Sequence, residues 1–226
     1  MGRAVVRLAH AGGVEIVCAV GSTDIGRDVG ELAGVGAFGT CVVDGLAAIE
    51  HARAEAVVDF SAPGATLALA PIAAAAGSAL VSGTTGLGDD ARGALDRAAA
   101  RVPVLWEPNM SLGVHVLTEL VGRAASALAD WDAEIVETHH RAKVDAPSGT
   151  ALRLAESLGR ANVGIHALRG GDVIGDHTVH LLGGGERLEL THRATNRDVF
   201  AHGALRAARW LVGRPPGRYA LRDVLG

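Results

Sequence analysis

The chain has 226 residues, 49% of them hydrophobic, enough to bury a real core in one or two domains. A net charge of -4 offers no electrostatic footprint for nucleic acid or an anionic membrane, and neither is an expected partner. Cys18 and Cys41 lack metal spacing and read as buried thiols of a reducing compartment, so the expected location is the cytoplasm, with no disulfide framework.

In chain order, residues 3–11 carry a helical pattern and 14–20 a strand-like apolar run. Helices are predicted over 46–52, 63–76 and 91–101, and strands over 56–60, 79–82 and 102–106. Residues 67–81 are apolar, but Pro71 and Gly77 interrupt them short of the ~20 residues of a spanning helix. They read as the end of a helix followed by a buried strand. Alternating strands and helices imply a parallel sheet covered on both faces, with ligands beyond the carboxyl ends of its strands. Ser61 and the loops 83–86 and 107–110 fall there and outline a nucleotide-shaped crevice.

An amphipathic helix over 112–128 and a strand over 133–138 follow, then a helix over 149–160. Strands are predicted over 164–169, 173–182 and 187–193, where Gly170-Gly171-Asp172 and Gly183-Gly184-Gly185 suit hairpin turns. A run of strands after alternating units points to a second, α+β domain with a mixed sheet. A helix over 198–212 returns the chain to the first domain. The expected division is a dinucleotide-binding domain of 1–109 and 197–226 and a substrate-binding and oligomerisation domain of 110–196.

The most chemically loaded stretch runs Glu137-Thr138-His139-His140-Arg141-Ala142-Lys143-Val144-Asp145-Ala146-Pro147-Ser148-Gly149-Thr150-Ala151-Leu152. Ser148 suits an N-cap, Gly149 lets a ligand approach the backbone, and Thr150 adds a hydroxyl over the first helical turn. Free amides and the helix dipole there favour a carboxylate or phosphate. Pro147 holds the chain extended before the cap, placing His139, His140 and Lys143 on a loop where they can converge on one ligand. Histidine donates a proton near neutral pH, and lysine neutralises an anion or donates a proton itself. Glu137 and Asp145 either orient these groups or are idle surface carboxylates. A zinc site is disfavoured, because adjacent histidines seldom aim at one ion and the lysine opposes its charge; no metal is expected.

At these residues the chain resembles the 4-hydroxy-tetrahydrodipicolinate reductase (dihydrodipicolinate reductase) family of the diaminopimelate route to lysine. Further matching segments include Val58-Asp59-Phe60-Ser61, Gly83-Thr84-Thr85-Gly86, Asn109-Met110-Ser111-Leu112-Gly113-Val114, Arg169-Gly170-Gly171-Asp172 and Arg222-Asp223-Val224-Leu225. The resemblance implies an α/β fold: a Rossmann-like nucleotide-binding domain plus an α+β substrate domain, assembled as a cytoplasmic homotetramer through the second sheet. It implies an oxidoreductase using NADH or NADPH on a small cyclic dicarboxylate. His139 is then the acid–base group, Lys143 a proton donor, His140 a substrate contact, and Ser148, Gly149 and Thr150 the carboxylate cradle. Gly83, Thr84, Thr85, Glu107, Pro108, Asn109 and Met110 would contact the cofactor, largely through backbone, with Arg197 nearby. His177, His180 and His192 lie on strand patterns and read as structural.

Three departures from the family pattern stand out. Met1-Gly2-Arg3 resembles the end of a glycine-rich phosphate loop, so the family's first strand is expected to be missing from the sheet. After Val20 the chain runs Gly21-Ser22-Thr23-Asp24, where the family has an acidic residue, often with arginine, for the adenosine ribose; Asp24 is the nearest substitute. Between Arg160 and Val163 a longer family connection is reduced to two residues, a change expected to lower turnover. Two other readings stay open: a reductase of another small cyclic acid, and a non-catalytic remnant lacking the phosphate loop.

Overall fold

The computed structural model describes all residues from Met1 to Gly226. The chain divides into two compact units, Met1–Met110 with Phe200–Gly226, and Ser111–Val199. No helix is long and apolar enough to cross a membrane.

The first unit contains α1 (Gly2–Ala11), β1 (Ala19–Val20), α2 (Val29–Ala33), β2 (Val42–Val43), α3 (Ala48–Ala52), β3 (Ala56–Asp59), α4 (Pro63–Ala76), β4 (Ala79–Ser82), α5 (Asp89–Ala99) and β5 (Pro103–Trp106). Its strands form two parallel sheets, β1-β2 and β10-β5-β4-β3, where β10 (Gly217–Tyr219) comes from the chain's end. No strand joins β1-β2 to β3. Every residue of β4 is buried, as a central parallel strand requires. Alanines 70, 73 and 74 of α4 and 91, 94 and 98 of α5 let these two helices pack closely beside it. Pro63 opens α4 and Gly77, at φ 72°, closes it, so the helix ends where the sequence punctuation places it.

The strand expected over 14–20 shrinks to Ala19–Val20, because only those residues find a partner strand. Upstream, the Val14 amide closes α1 on the Ala9 carbonyl and the Thr40 hydroxyl satisfies the Ile16 carbonyl. Between α2 and β2 one side chain replaces regular structure: Asp28 caps α2 and accepts from the amides of Gly30, Glu31, Phe38 and Gly39. Cys41 is exposed and Cys18 half-buried, so neither thiol is the buried core residue expected; β2 and β1 are too short to enclose them.

The second unit holds α6 (Leu112–Ala127), β6 (Asp132–His139), α7 (Gly149–Leu158), β7 (Gly164–Arg169), β8 (Gly175–Leu182) and β9 (Arg187–Ala194). Its sheet runs β7-β6-β8-β9, parallel between β6 and β7 and antiparallel elsewhere. Ile135, Val179 and Leu181 face α6 and α7, packing with Leu117, Val121, Leu154 and Leu158. The alternate face carries Leu168 and Leu182, 50% and 36% exposed, and no helix of this unit lies on it. Glycines 183–185 do close the hairpin between β8 and β9. Residues 170–172 do not form one: β7 and β8 flank β6 on opposite sides, so this segment crosses the end of β6 instead. There the Gly170 amide donates to His139 and the Arg141 amide to Gly171. α8 (Asp198–Leu211) carries the chain back to the first unit, where β10 and α9 (Leu221–Leu225) end it.

Candidate active site

In the first unit, the loops after β3 and β4 are clamped by one buried carboxylate that sequence reasoning did not single out. Asp59 accepts from the hydroxyls of Ser61 (2.5 Å), Thr66 (2.6 Å), Ser82 (2.8 Å) and Thr84 (3.1 Å). The Thr84 carbonyl also accepts from the Trp106 indole at 2.8 Å. Gly83 must be glycine, since a Cβ would stand 2.2 Å from the Phe60 ring. Thr85, Gly86 and Pro108 are exposed and Asn109 half-buried, whereas Gly83, Thr84, Glu107 and Met110 are buried. Thr85, Gly86 and Pro108 are thus the solvent-facing residues of these loops. Arg197 is exposed in the turn between β9 and α8.

The start of α1 also suits an anion. Its first turn holds no acidic side chain, and Gly2 and Arg3 are exposed. Asp24 is not a free ribose ligand: its carboxylate is gripped by Arg3 and Arg27, each at 2.9 Å. The Arg3 hydrogen bond, opposed by desolvation and helped by Arg27, holds its carboxyl below the ordinary range. An exposed helix N-terminus with two guanidiniums and glycine-rich strand ends is a donor set that fits a dinucleotide.

The second unit carries the proton chemistry. Along β6, Ile135, Glu137 and His139 alternate onto the face covered by α6 and α7. His139 is thus the last residue of a strand, not part of the loop expected from Pro147, because the register with Arg169 of β7 extends that far. Glu137 is fully buried, which excludes the surface-carboxylate reading. It accepts from His139 Nδ1 at 2.6 Å, from the Ser148 amide at 3.0 Å, and from both Arg169 terminal nitrogens at 2.8 Å. Burial works against its charge, but Arg169, His139 and the Ser148 amide outweigh it and hold the carboxyl below its usual range.

His177 lies across from Glu137 in the β6–β8 register, edge-on to His139 with ring centroids 5.1 Å apart. Its Nε2 meets the Ser148 hydroxyl at 3.1 Å, so the residue read as structural belongs to the cluster. Burial, then the His139 charge, push its pKa down to about 4, so it is neutral near pH 7. Ser148 caps α7 through the Ala151 amide and is buried. With its amide given to Glu137, Ser148 is spent inside the protein. Gly149 is exposed with open space around it, and Thr150 is half-buried beside it. Lys143, half-buried, binds Asp145 at 2.8 Å, and His140 is half-buried in the same turn. No cluster of metal-ligating side chains is present.

Arg169 and His177 were not legible as site residues: both reach Glu137 and Ser148 only through strand register, about 30 positions away. Glu137 did carry a signal, since two positions before His139 on a strand puts both on one face.

The parallel sheet with its exposed strand-end loops and the imidazole–carboxylate cluster define an α/β protein of the two-domain oxidoreductase class. Residues 1–110 match the family model described as dihydrodipicolinate reductase, N-terminus, and 113–225 the model for its C-terminus. The chain belongs to the dihydrodipicolinate reductase family. It is 50% identical to a 4-hydroxy-tetrahydrodipicolinate reductase of Anaeromyxobacter dehalogenans over 254 aligned residues, all of this chain and 94% of that protein. That alignment is 28 positions longer than this chain, so internal segments of the relative have no counterpart here. The reductase of Stenotrophomonas maltophilia is 48% identical over only 229 residues, covering all of this chain and 93% of its own, so it is nearly as compact. Among solved structures, the dipicolinate-bound dihydrodipicolinate reductase of Paenisporosarcina sp. TG-14 shares the fold with a TM-score of 0.79 at 22% identity, covering 96% of this chain and 92% of its own.

Proposed function

We propose that this chain reduces 4-hydroxy-tetrahydrodipicolinate to tetrahydrodipicolinate at the expense of NADH or NADPH, with loss of water, in the diaminopimelate route to lysine. The observation that carries the reading is the buried Glu137–His139 pair beside the N-terminus of α7. When bound, the nicotinamide supplies the hydride. The chain's own groups supply the proton and the anchorage. Glu137 accepts a hydrogen bond from Nδ1–H of His139, which leaves Nε2 as the atom that gives or takes a proton. Lys143 adds an ammonium as a second proton donor, and His140 a substrate contact. Gly149 and Thr150 would receive one substrate carboxylate at the positive end of α7, while Ser148 holds that turn in place.

In this reading residues 1–109 and 197–226 hold the dinucleotide. Arg3 and the first amides of α1 would face its phosphates, and Thr85, Gly86, Pro108, Asn109 and Arg197 its remaining length. With Asp24 held by Arg3 and Arg27, the two guanidiniums are the charged groups on offer at the adenosine end. Residues 110–196 bind substrate, and the uncovered face of their sheet joins copies into a tetramer. Two unpaired cysteines agree with a cytoplasmic site of action. The compact Stenotrophomonas relative removes the objection that shortened connections are foreign to such reductases.

The test is oxidation of NADH and NADPH with freshly generated substrate. His139→Gln and Lys143→Ala should each lower kcat by roughly 10²–10⁴ while the fold is kept. Near-normal rates in both variants would remove them from the chemistry. An absence of saturable nicotinamide fluorescence quenching at millimolar cofactor would instead support the non-catalytic remnant.

A further inference from the structure

We infer that Glu137 is the positioning residue of this site: it fixes the tautomer and orientation of His139 and ties that imidazole to the carboxylate cradle of α7. The inference rests on the reductase reading for its consequence, though its geometric part stands alone. An ionised carboxylate can only accept, so at 2.6 Å from Oε2 the His139 Nδ1 carries the proton and Nε2 is left to exchange one. The ring is also confined from other sides. A Cβ on residue 175 would stand 2.9 Å from Nε2 and 3.2 Å from Cδ2, so only glycine leaves the imidazole its place. His177 packs its ring edge-on against it.

The other oxygen sets the second distance that matters. Oε1 accepts the Ser148 amide at 3.0 Å, so the same anion that orients the acid also locates the first turn of α7. Arg169 forks across both oxygens, Nη1 to Oε2 and Nη2 to Oε1, and its Nη2 also donates to the Asp145 carbonyl at 2.6 Å. The loop that holds Lys143 and Asp145 is thereby referenced to the same point. Because Arg169 neutralises much of its charge, Glu137 acts on His139 chiefly by aim. The charged or titratable groups beside His139 are Glu137 on its own strand, Arg169 opposite it on β7 and His177 on β8.

Two measurements decide the matter. Imidazole ¹⁵N spectra of the wild-type protein, with His139 assigned by loss of its signal in His139→Gln, should show the neutral ring protonated at Nδ1. A proton on Nε2 would overturn the inference without any reference to activity. The second is a double-mutant cycle. Glu137→Gln should lower kcat at least about tenfold, yet change kcat by less than about threefold in a His139→Gln background. An equal fall in both backgrounds would mean a merely structural role and would also overturn it. Gly175→Ala, which leaves every charge in place, should reproduce the loss in kcat if Glu137→Gln folds poorly; an unchanged kcat there would count against confinement of the ring. A wild-type protein with no turnover sinks the functional reading alone, since the spectra still decide the tautomer.

Discussion

Acid should destabilise this protein through His177, starting as pH falls below 6.5. The group is buried, and desolvation followed by the nearby His139 charge takes its pKa from 6.5 to about 4. Above pH 6.5 the ring is neutral whether the chain is folded or not, so it has no effect on stability there. As pH falls towards 4, the unfolded chain takes up a proton that the folded one refuses, and stability drops. Below about 4 both states are protonated and the loss is complete. At about 1.4 kcal/mol per unit, the shift amounts to roughly 3 kcal/mol. Urea melts at pH 7.5, 6, 5 and 4 on wild type and His177→Gln measure it, with the glutamine amide keeping a partner for Ser148. The wild type should lose roughly 3 kcal/mol more than the variant across that range, equivalent to ~6–12 °C in Tm for a chain of this length. Glu137 and Asp145, with carboxyls held below their ordinary 4.5 and 3.8, begin to cost stability as pH falls through those ordinary values, and they are common to both proteins. Parallel stability curves would refute the account of a ring kept neutral by burial.

Gly203→Ala should be severely destabilising, because a Cβ there would stand 1.8 Å from the Met110 carbonyl oxygen and α8 would have to move away; calorimetry should register a loss of about 1–3 kcal/mol or more. Asp59→Ala leaves the buried hydroxyls of Thr66, Ser82 and Thr84 without their acceptor. It should cost roughly 3 kcal/mol or more and raise the KM for nicotinamide cofactor by unfastening the loops after β3 and β4. Arg160→Ala should cost about 2 kcal/mol in chemical denaturation, since its guanidinium donates to the carbonyls of Ala125, Leu128 and Trp131 at the end of α6. An unchanged midpoint for Arg160→Ala would show that water replaces those bonds without loss.

Local chemistry made the middle of the first unit legible. Pro63 and Gly77 bracket α4, and the short, mostly apolar β4 follows at once, so 63–82 reads correctly from punctuation and length alone. The same reasoning overreads 14–20, because an apolar run becomes a strand only where another backbone is in register, and β2 offers just Val42–Val43. Elements that short leave no periodic trace. The crossing over the end of β6 was misread for a related reason: glycines announce a turn but not which strand lies next. In the site, the residue types and the helix cap were plain in the sequence, since both depend on neighbours. The burial of Glu137 was not, because its guanidinium partner comes from β7 and its facing imidazole from β8.

The five-residue join between α7 and β7, Gly159 to Val163, has a consequence for how such chains vary in length. Arg160, bonded back to the end of α6, fixes one side of the join, and β7 fixes the other through its pairing with β6. Ala161 and Asn162 between them are exposed, with Asn162 at φ 57°, so the chain bulges outward there. Extra residues spliced at that bulge would project into solvent as an appendage, with both posts standing and the proton-handling cluster undisturbed.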